Sequence, residues 1–151
     1  GHFVMSTLHT NDAASAITRL QDMGLESYLV SSTVVGIMAQ RLVRRICKEC
    51  RTEDTGSAEL RDYFGVAAHE TFYRGAGCGK CFDTGYKGRA MVGEIIEVTS
   101  ALREMITRKP GAEEIRTLAI REGMTPLTQN ALAMARAGVT TLEEVFSVKL
   151  E

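Results

Sequence analysis

Four cysteines carry the most specific chemistry in this sequence. They fall as two pairs, Cys47-Lys-Glu-Cys50 and Cys78-Gly-Lys-Cys81, separated by residues 51–77. A Cys-x-x-Cys pair on a tight turn aims both sulfurs at one point. Two such pairs supply the four soft ligands that Zn²⁺ takes in a tetrahedron, at about 2.3 Å per bond. The spacer is longer than that of the usual zinc ribbon, which implies only a larger loop. Every cysteine of the chain is used, and four protein thiolates leave no open position for a catalytic metal. The reading is a structural zinc site made by Cys47, Cys50, Cys78 and Cys81. Two disulfides compete with it, as does a redox dithiol. However, a chain of 151 residues can bury a core without such staples, and one Cys-x-x-Cys would suffice for redox work.

Two other groups invite a chemical reading. His9 lies in the polar cluster Ser6-Thr7 … His9-Thr10-Asn11-Asp12 that follows the apolar residues Phe3, Val4 and Met5. At the end of a strand and ahead of a helix, it would stand near N–H groups that favour anions. A turn histidine with no function fits the same pattern. Arg41, Arg44 and Arg45 are suited either to phosphate and acidic partners or to a solvated strand face.

Composition sets outer bounds. Hydrophobic residues make up 44% and charged residues 25%, the balance of an ordinary globular protein. A net charge of −1 gives no bulk attraction to nucleic acid or to an anionic membrane. No apolar run is long enough to span a bilayer. The N-terminus lacks the layout of a signal peptide, so a cytoplasmic location is expected. The chain opens inside an apolar strand pattern without a methionine, which reads as an excised piece. Leu150-Glu151 reads either as a cloning remnant or as a native ending.

The elements that must position these residues follow from periodicity. Residues 2–8 read as a short buried strand of Phe3, Val4, Met5 and Leu8. Asn11 or Asp12 caps a helix through Ala13, Ile17 and Leu20, which Gly24 closes. Strand, polar turn and helix in that order belong to α/β architecture, where ligands bind beyond the carboxyl ends of strands. A second helix is expected over 27–39 and a strand over 40–46. Residues 51–77 read as a polar insert with a short helix around 57–64, too small to bury much apolar surface without metal. A strand is expected over 90–98, paired antiparallel with 41–46. From Ser100 onward the pattern is helical, with breaks at Pro110-Gly111, Gly123 and Gly138 and a capping box at Thr141-x-x-Glu144. The fold class is thus α/β with a cysteine-knuckle insert and a C-terminal helical bundle. Glu113, Glu114 and Arg116 read as a solvated face.

Four stretches together resemble one family. Residues 1–12, Gly-His-Phe-Val-Met-Ser-Thr-Leu-His-Thr-Asn-Asp, resemble the His box of the type II secretion ATPases (general secretion pathway protein E) and the type IV pilus assembly ATPases (PilB). Residues 40–50 resemble the approach to their tetracysteine motif. Cys78-x-x-Cys81 with Gly85-Tyr86-Lys87-Gly88-Arg89 resembles its second half. Gly123-Met124 and Gly138-x-Thr140-Thr141-x-Glu143-Glu144-Val145 resemble their helical end. Retraction ATPases share the His box but lack the four-cysteine insert.

The resemblance implies a hexameric, cytoplasmic, nucleotide-binding motor of RecA-like fold at the inner membrane. Such a motor drives protein transport or pilus assembly through a membrane platform protein. It implies His9 as the catalytic histidine near the γ-phosphate, with Thr7 and Thr10 flanking it. Arg89 would be a basic residue that reaches a neighbouring subunit's nucleotide, although a plain turn or interface role fits it equally. His2 has no assigned role. The division implied is residues 1–46 from the ATPase core, 47–89 a zinc subdomain, and 90–149 a strand plus a helical subdomain.

The chain departs from the family pattern in lacking the phosphate-cradling loop G-x-x-x-x-G-K-[ST]. ATP and Mg²⁺ would then be held by upstream parts of the parent. The alternative is a freestanding zinc-knuckle module that binds protein or nucleic acid. Aromatic residues are only 6% of the chain, however, and none is interleaved with Arg41, Arg44, Arg45, Lys48 and Arg51 as stacking on bases requires. The missing loop predicts that the isolated chain does not turn over ATP. Steady phosphate release that co-purifies with this polypeptide through successive columns would contradict that.

Overall fold

The computed structural model describes residues 2–54, 58–67 and 69–150. Its elements, in order, are α1 (Ala13–Asp22), α2 (Ser27–Thr33), β1 (Gly36–Ile46), β2 (Arg51–Asp54), α3 (Ala58–Phe64), β3 (Phe72–Gly75), β4 (Tyr86–Glu97), α4 (Ser100–Thr107), α5 (Ala112–Arg121), α6 (Leu127–Arg136) and α7 (Leu142–Leu150). β1 pairs with β4, and β2 with β3. The chain divides into two compact units. One comprises residues 1–39 and 94–125, the other residues 40–93 and 126–151.

In the first unit, α1 starts where the sequence places it. The Asp12 carboxylate accepts the Ser15 N–H at 2.8 Å, which satisfies one of the free amides of a helix start. Gly24, at φ +90°, ends α1 where a residue with a Cβ would be strained. Ala13, Ala14 and Ile17 pack with Val30 of α2, Ile96 and Val98, Leu102 and Ile106 of α4, and Ile115 and Ala119 of α5. Thr99, one residue before the expected cap at Ser100, accepts the Leu102 N–H and holds the start of α4. The second helix stops at Thr33, well short of residue 39. Val34 is already extended, and the carbonyl of Val35 accepts the Val98 N–H at 3.1 Å. The β-branched pair Val34-Val35 suits a strand, so β1 begins at Gly36 and not at Gln40.

β1 and β4 run antiparallel, as expected. Val35 bonds Val98 at one end, and the Cys47 N–H donates to the Gly85 carbonyl at 2.9 Å at the other. The opening strand is a correction. Residues 2–8 form no strand, and Phe3, Val4 and Met5 are 78%, 77% and 85% exposed. A strand needs a neighbouring edge for its N–H and C=O groups. Among the described residues the four strands pair only as β1–β4 and β2–β3, and no edge is bonded to 2–8. His9 therefore lies in an irregular segment ahead of α1, not at a sheet edge.

The second unit holds a hairpin that periodicity missed. β2 and β3 are antiparallel, with Arg51 opposite Gly75 and Asp54 opposite Phe72. Arg-Thr-Glu-Asp has no apolar alternation, and one buried residue, Phe72, anchors its partner strand. Phe72 and Val66 pack with Val43, Val92, Leu127, Ala131, Leu142 and Val145. The insert thus shares the core of its unit and does not depend on metal alone for burial. The expected short helix is present as Ala58–Phe64; its first expected residue, Ser57, lies outside the described residues. The expected single C-terminal bundle is divided. α4 and α5 belong to the first unit, while α6 and α7 belong to the second.

Carboxylates tie the second unit together. Glu144 does only half of the expected capping box, because its N–H meets the Thr141 hydroxyl at 3.4 Å. Its carboxylate turns to Arg44 instead, accepting the backbone N–H at 2.7 Å and the guanidinium at 2.9 and 2.8 Å. This hydrogen-bonded acid pushes the Arg44 guanidinium further above its ordinary value, and the same group lies 4.1 Å over the Tyr86 ring. Arg44 is therefore structural. Likewise Arg136 bonds Glu70 at 2.6 Å and, as the main cause, holds its carboxyl below the usual range.

Phe72 is 1% exposed, so truncation to alanine leaves an apolar void. We expect Phe72→Ala to cost about 3–5 kcal/mol, read as a lowered urea midpoint. A loss under about 1 kcal/mol would mean that the insert does not anchor this core.

Candidate functional site

The cysteine quartet is assembled by the ends of four strands. Cys47 follows β1 directly, Cys50 precedes β2, and Cys78 and Cys81 lie between β3 and β4. The Ala76 N–H bonds the Cys50 carbonyl at 2.8 Å, which sets the second knuckle beside the first. Within the second knuckle the Cys78 carbonyl accepts the N–H groups of Cys81 and Asp83, at 3.1 and 3.0 Å. The Cys78 N–H in turn points to the Cys81 sulfur at 3.2 Å. The chain turns out of the knuckle through Phe82 and Asp83, both left-handed at φ 53° and 58°.

Two glycines make the approach possible. Gly75, closing β3, faces Gly85 backbone to backbone. A Cβ on Gly75 would lie 2.0 Å from the Gly85 oxygen, and one on Gly85 would lie 2.5 Å from the Gly75 oxygen. No side chain fits at either position, and Gly85 also has φ +75°.

The sulfur separations are 3.9 Å for Cys47–Cys78, 3.8 Å for Cys50–Cys81 and 3.7 Å for Cys78–Cys81. All four sulfurs lie within 4.8 Å of one another. A tetrahedron with bonds of about 2.3 Å has edges of about 3.8 Å, so the quartet matches the size of a four-thiolate metal site. All four cysteines are free, and these distances are nearly twice a disulfide bond of about 2.0 Å. The four cysteines can hold a metal ion. Cys47 and Cys81 are buried, while Cys50 and Cys78 are half-buried. Burial pushes the Cys50 thiol up to about 12, and hydrogen bonds with the other three thiols push the same way. For Cys81 burial also opposes ionisation, but N–H groups of Cys78 and Gly85 and the neighbouring thiols outweigh it and bring the group down to about 7. The backbone thus favours ionisation at Cys81, and a bound cation would draw off the protons of the other thiols.

The second candidate group precedes α1. Thr7 and His9 are exposed and Thr10 is half-buried. The Thr10 hydroxyl donates to the Asp12 carbonyl at 3.2 Å. Two of the amides expected to favour an anion are already taken. The Ala13 N–H donates to Glu94 Oε1 at 2.8 Å, and Asp12 accepts the Ser15 N–H. Arg116 bonds the other Asp12 oxygen at 2.6 Å, so it is not part of a solvated face. Arg89 is exposed on β4 and belongs to the second unit, whereas Thr7, His9 and Thr10 belong to the first. Periodicity missed Glu94. It lies between Val92 and Ile96 on the buried side of β4, and a lone acid in an apolar alternation was the available signal.

Comparison with known proteins follows this geometry. A family profile described as "Type II/IV secretion system protein" matches residues 1–147. The chain is 43% identical over its whole length to a type IV pilus assembly ATPase PilB of Thermus thermophilus, of which it covers 17%. It is 42% identical, again over its whole length, to a type II secretion system ATPase E of Vibrio cholerae, covering 30%. A type II secretion system protein E of Dickeya dadantii is 40% identical and also covered to 30%. The chain therefore spans less than a third of each of these relatives.

The glycine crossing predicts a test of the quartet. Wild-type chain refolded with Zn²⁺ should retain about one equivalent after gel filtration. Gly85→Ala should retain well under half of that, by metal analysis. Equal retention by the variant would show that the Gly75–Gly85 approach does not build the site.

Proposed function

Since the chain belongs to the type II/IV secretion system protein family, we propose that it is the C-terminal portion of a hexameric motor ATPase that powers type II protein secretion or type IV pilus assembly. The observation that carries this reading is the match of residues 1–147 to that family, together with a sulfur quartet of metal-site dimensions. In this reading residues 1–46 derive from a RecA-like core, 47–89 form a zinc subdomain, and 90–149 supply a strand plus a helical C-terminal subdomain. ATP and Mg²⁺ are bound with the help of upstream parts of the parent. The motor is peripheral to the cytoplasmic face of an inner membrane and works on a platform protein embedded there. No helix among the described residues is long and apolar enough to cross a membrane.

The metal is structural. Cys47, Cys50, Cys78 and Cys81 would hold Zn²⁺, which supplies a cross-link and no reaction chemistry, because every position is filled by sulfur. The cross-link joins the end of β1 to the start of β4 and fixes the turn that precedes Arg89. His9 acts at the nucleotide. Its exposure leaves the imidazole able to meet a terminal phosphate, with Thr7 and Thr10 beside it in sequence. Arg89, exposed on β4, offers its charge to a nucleotide in a neighbouring subunit. Phosphoryl transfer rewards positioning and charge stabilisation above all, and these groups supply both.

In the full-length parent, His9→Ala should cut ATP turnover by about 100-fold while the zinc content stays at the wild-type level. Turnover within about twofold of wild type would remove His9 from the chemistry. Loss of zinc in the same variant would show that the substitution acts through the fold.

A further inference from the structure

Glu94 and Glu144 are the buried carboxylates among the described residues. Glu144 is engaged by Arg44. Glu94 is 2% exposed, takes no part in the metal centre and has no place in the chemistry above. Its neighbours on the inward side of β4 are Val92 and Ile96. An apolar residue would fill that position without the desolvation cost that a carboxylate carries. What the carboxylate adds is a negative charge at the positive end of α1. It accepts the first amide of the helix, that of Ala13, from a strand 81 positions away. Next to it Asp12 caps Ser15, and Arg116 of α5 grips Asp12 at 2.6 Å while only 28% exposed. The first turn of α1 is thus held from two other elements of the same unit.

This matters because of what lies just before it. Residues 2–9 are exposed and belong to no helix or strand. The nearest regular element to His9 is the start of α1, reached through Thr10, Asn11 and Asp12. We infer that Glu94 and Arg116 are positioning residues for the His9 segment: by fixing Asp12 and Ala13 they set where residues 7–11 leave the helix and which way the imidazole is presented. The inference rests on the reading of His9 as the catalytic histidine. It also has a consequence for the nucleotide. With the Ala13 and Ser15 amides filled by carboxylates, α1 offers no anion seat at those amides, and the phosphate is met by side chains of the His9 segment.

The test uses two preparations. In the present chain, Glu94→Ala, Glu94→Gln and Arg116→Gln are compared by amide hydrogen exchange at Ala13 and Ser15 and by the NMR signals of the His9 ring. In the full-length parent, the same variants and His9→Ala are compared by kcat and KM for ATP. Glu94→Ala is expected to speed exchange at Ala13, to shift the His9 ring signals, and to lower kcat by about tenfold or more. KM should stay within about threefold and zinc content unchanged. Glu94→Gln should recover most of kcat, because its amide oxygen still accepts the Ala13 N–H. If Glu94→Ala does not fold, Glu94→Gln and Arg116→Gln carry the comparison, with Arg116→Gln expected to move the His9 signals and kcat together. Faster exchange at Ala13 with unmoved His9 signals and unchanged kcat would reduce Glu94 to a plain helix cap and overturn the inference. A His9→Ala variant with normal turnover would sink the catalytic reading separately, and the ring signals would still decide whether Glu94 places that segment.

Discussion

Four thiols within 4.8 Å of one another cannot all ionise unless a cation lies among them, because like charges at that separation repel strongly in a site with little water. This constraint governs the second unit. It requires the ends of β1 and β3 and the start of β4 to converge, and the convergence requires a backbone crossing at Gly75 and Gly85 that admits no side chain. The crossing in turn fixes Gly85, whose carbonyl takes the Cys47 N–H and begins the β1–β4 ladder. Ile46, one residue earlier, donates its N–H to the Val139 carbonyl, and Thr140 bonds the Arg44 carbonyl. The loop between α6 and α7 is therefore held against the strand that delivers the first cysteine. The cysteine quartet and the C-terminal helices of this unit form one piece of structure.

A second theme is the use of carboxylates at helix starts. Asp12 caps α1 in the ordinary local manner. Glu94 does so from a distant strand, and Glu144, at the start of α7, reaches across to Arg44. The buried acids are costly on their own but each meets N–H groups aimed at it. Their partners are far away in sequence, 81 positions for Glu94 and Ala13 and 100 for Glu144 and Arg44, so they fix tertiary arrangement more than local helicity. In the first unit that arrangement falls beside the segment carrying His9. In the second it falls beside the strand leading to the first cysteine pair.

Local signals were legible where local physics decides. The Asp12 cap, the Gly24 stop, the break at Pro110-Gly111 and the helices from Ser100 onward follow from capping chemistry and 3.6-residue periodicity. Leu29, Val30, Val34, Ile37 and Met38 fit a helical stripe, but α2 ends at Thr33 because the chain beyond it pairs with β4, just past which the Val98 N–H meets the Val35 carbonyl. The β2–β3 hairpin was invisible because a short strand with one buried residue has no period to read. The stretch 2–8 shows the converse. Its composition suits a strand, but composition cannot supply a partner edge. Periodicity does not single out Glu94, and Arg116 reads as a solvated residue, for a related reason, since a charged residue looks solvated until its distant partner is known.

The sequence by itself determined the cysteine quartet and the family, because both depend on residue types at fixed spacings, which folding does not alter. It also determined most helix boundaries, where a cap or a glycine acts within four residues. Only the tertiary structure decided how the helices divide between two units, that Phe72 brings the insert into a core, and that a buried acid from β4 closes the start of α1. Those outcomes rest on contacts between residues tens of positions apart. Whether such contacts form depends on how whole surfaces fit, and no local pattern encodes that fit.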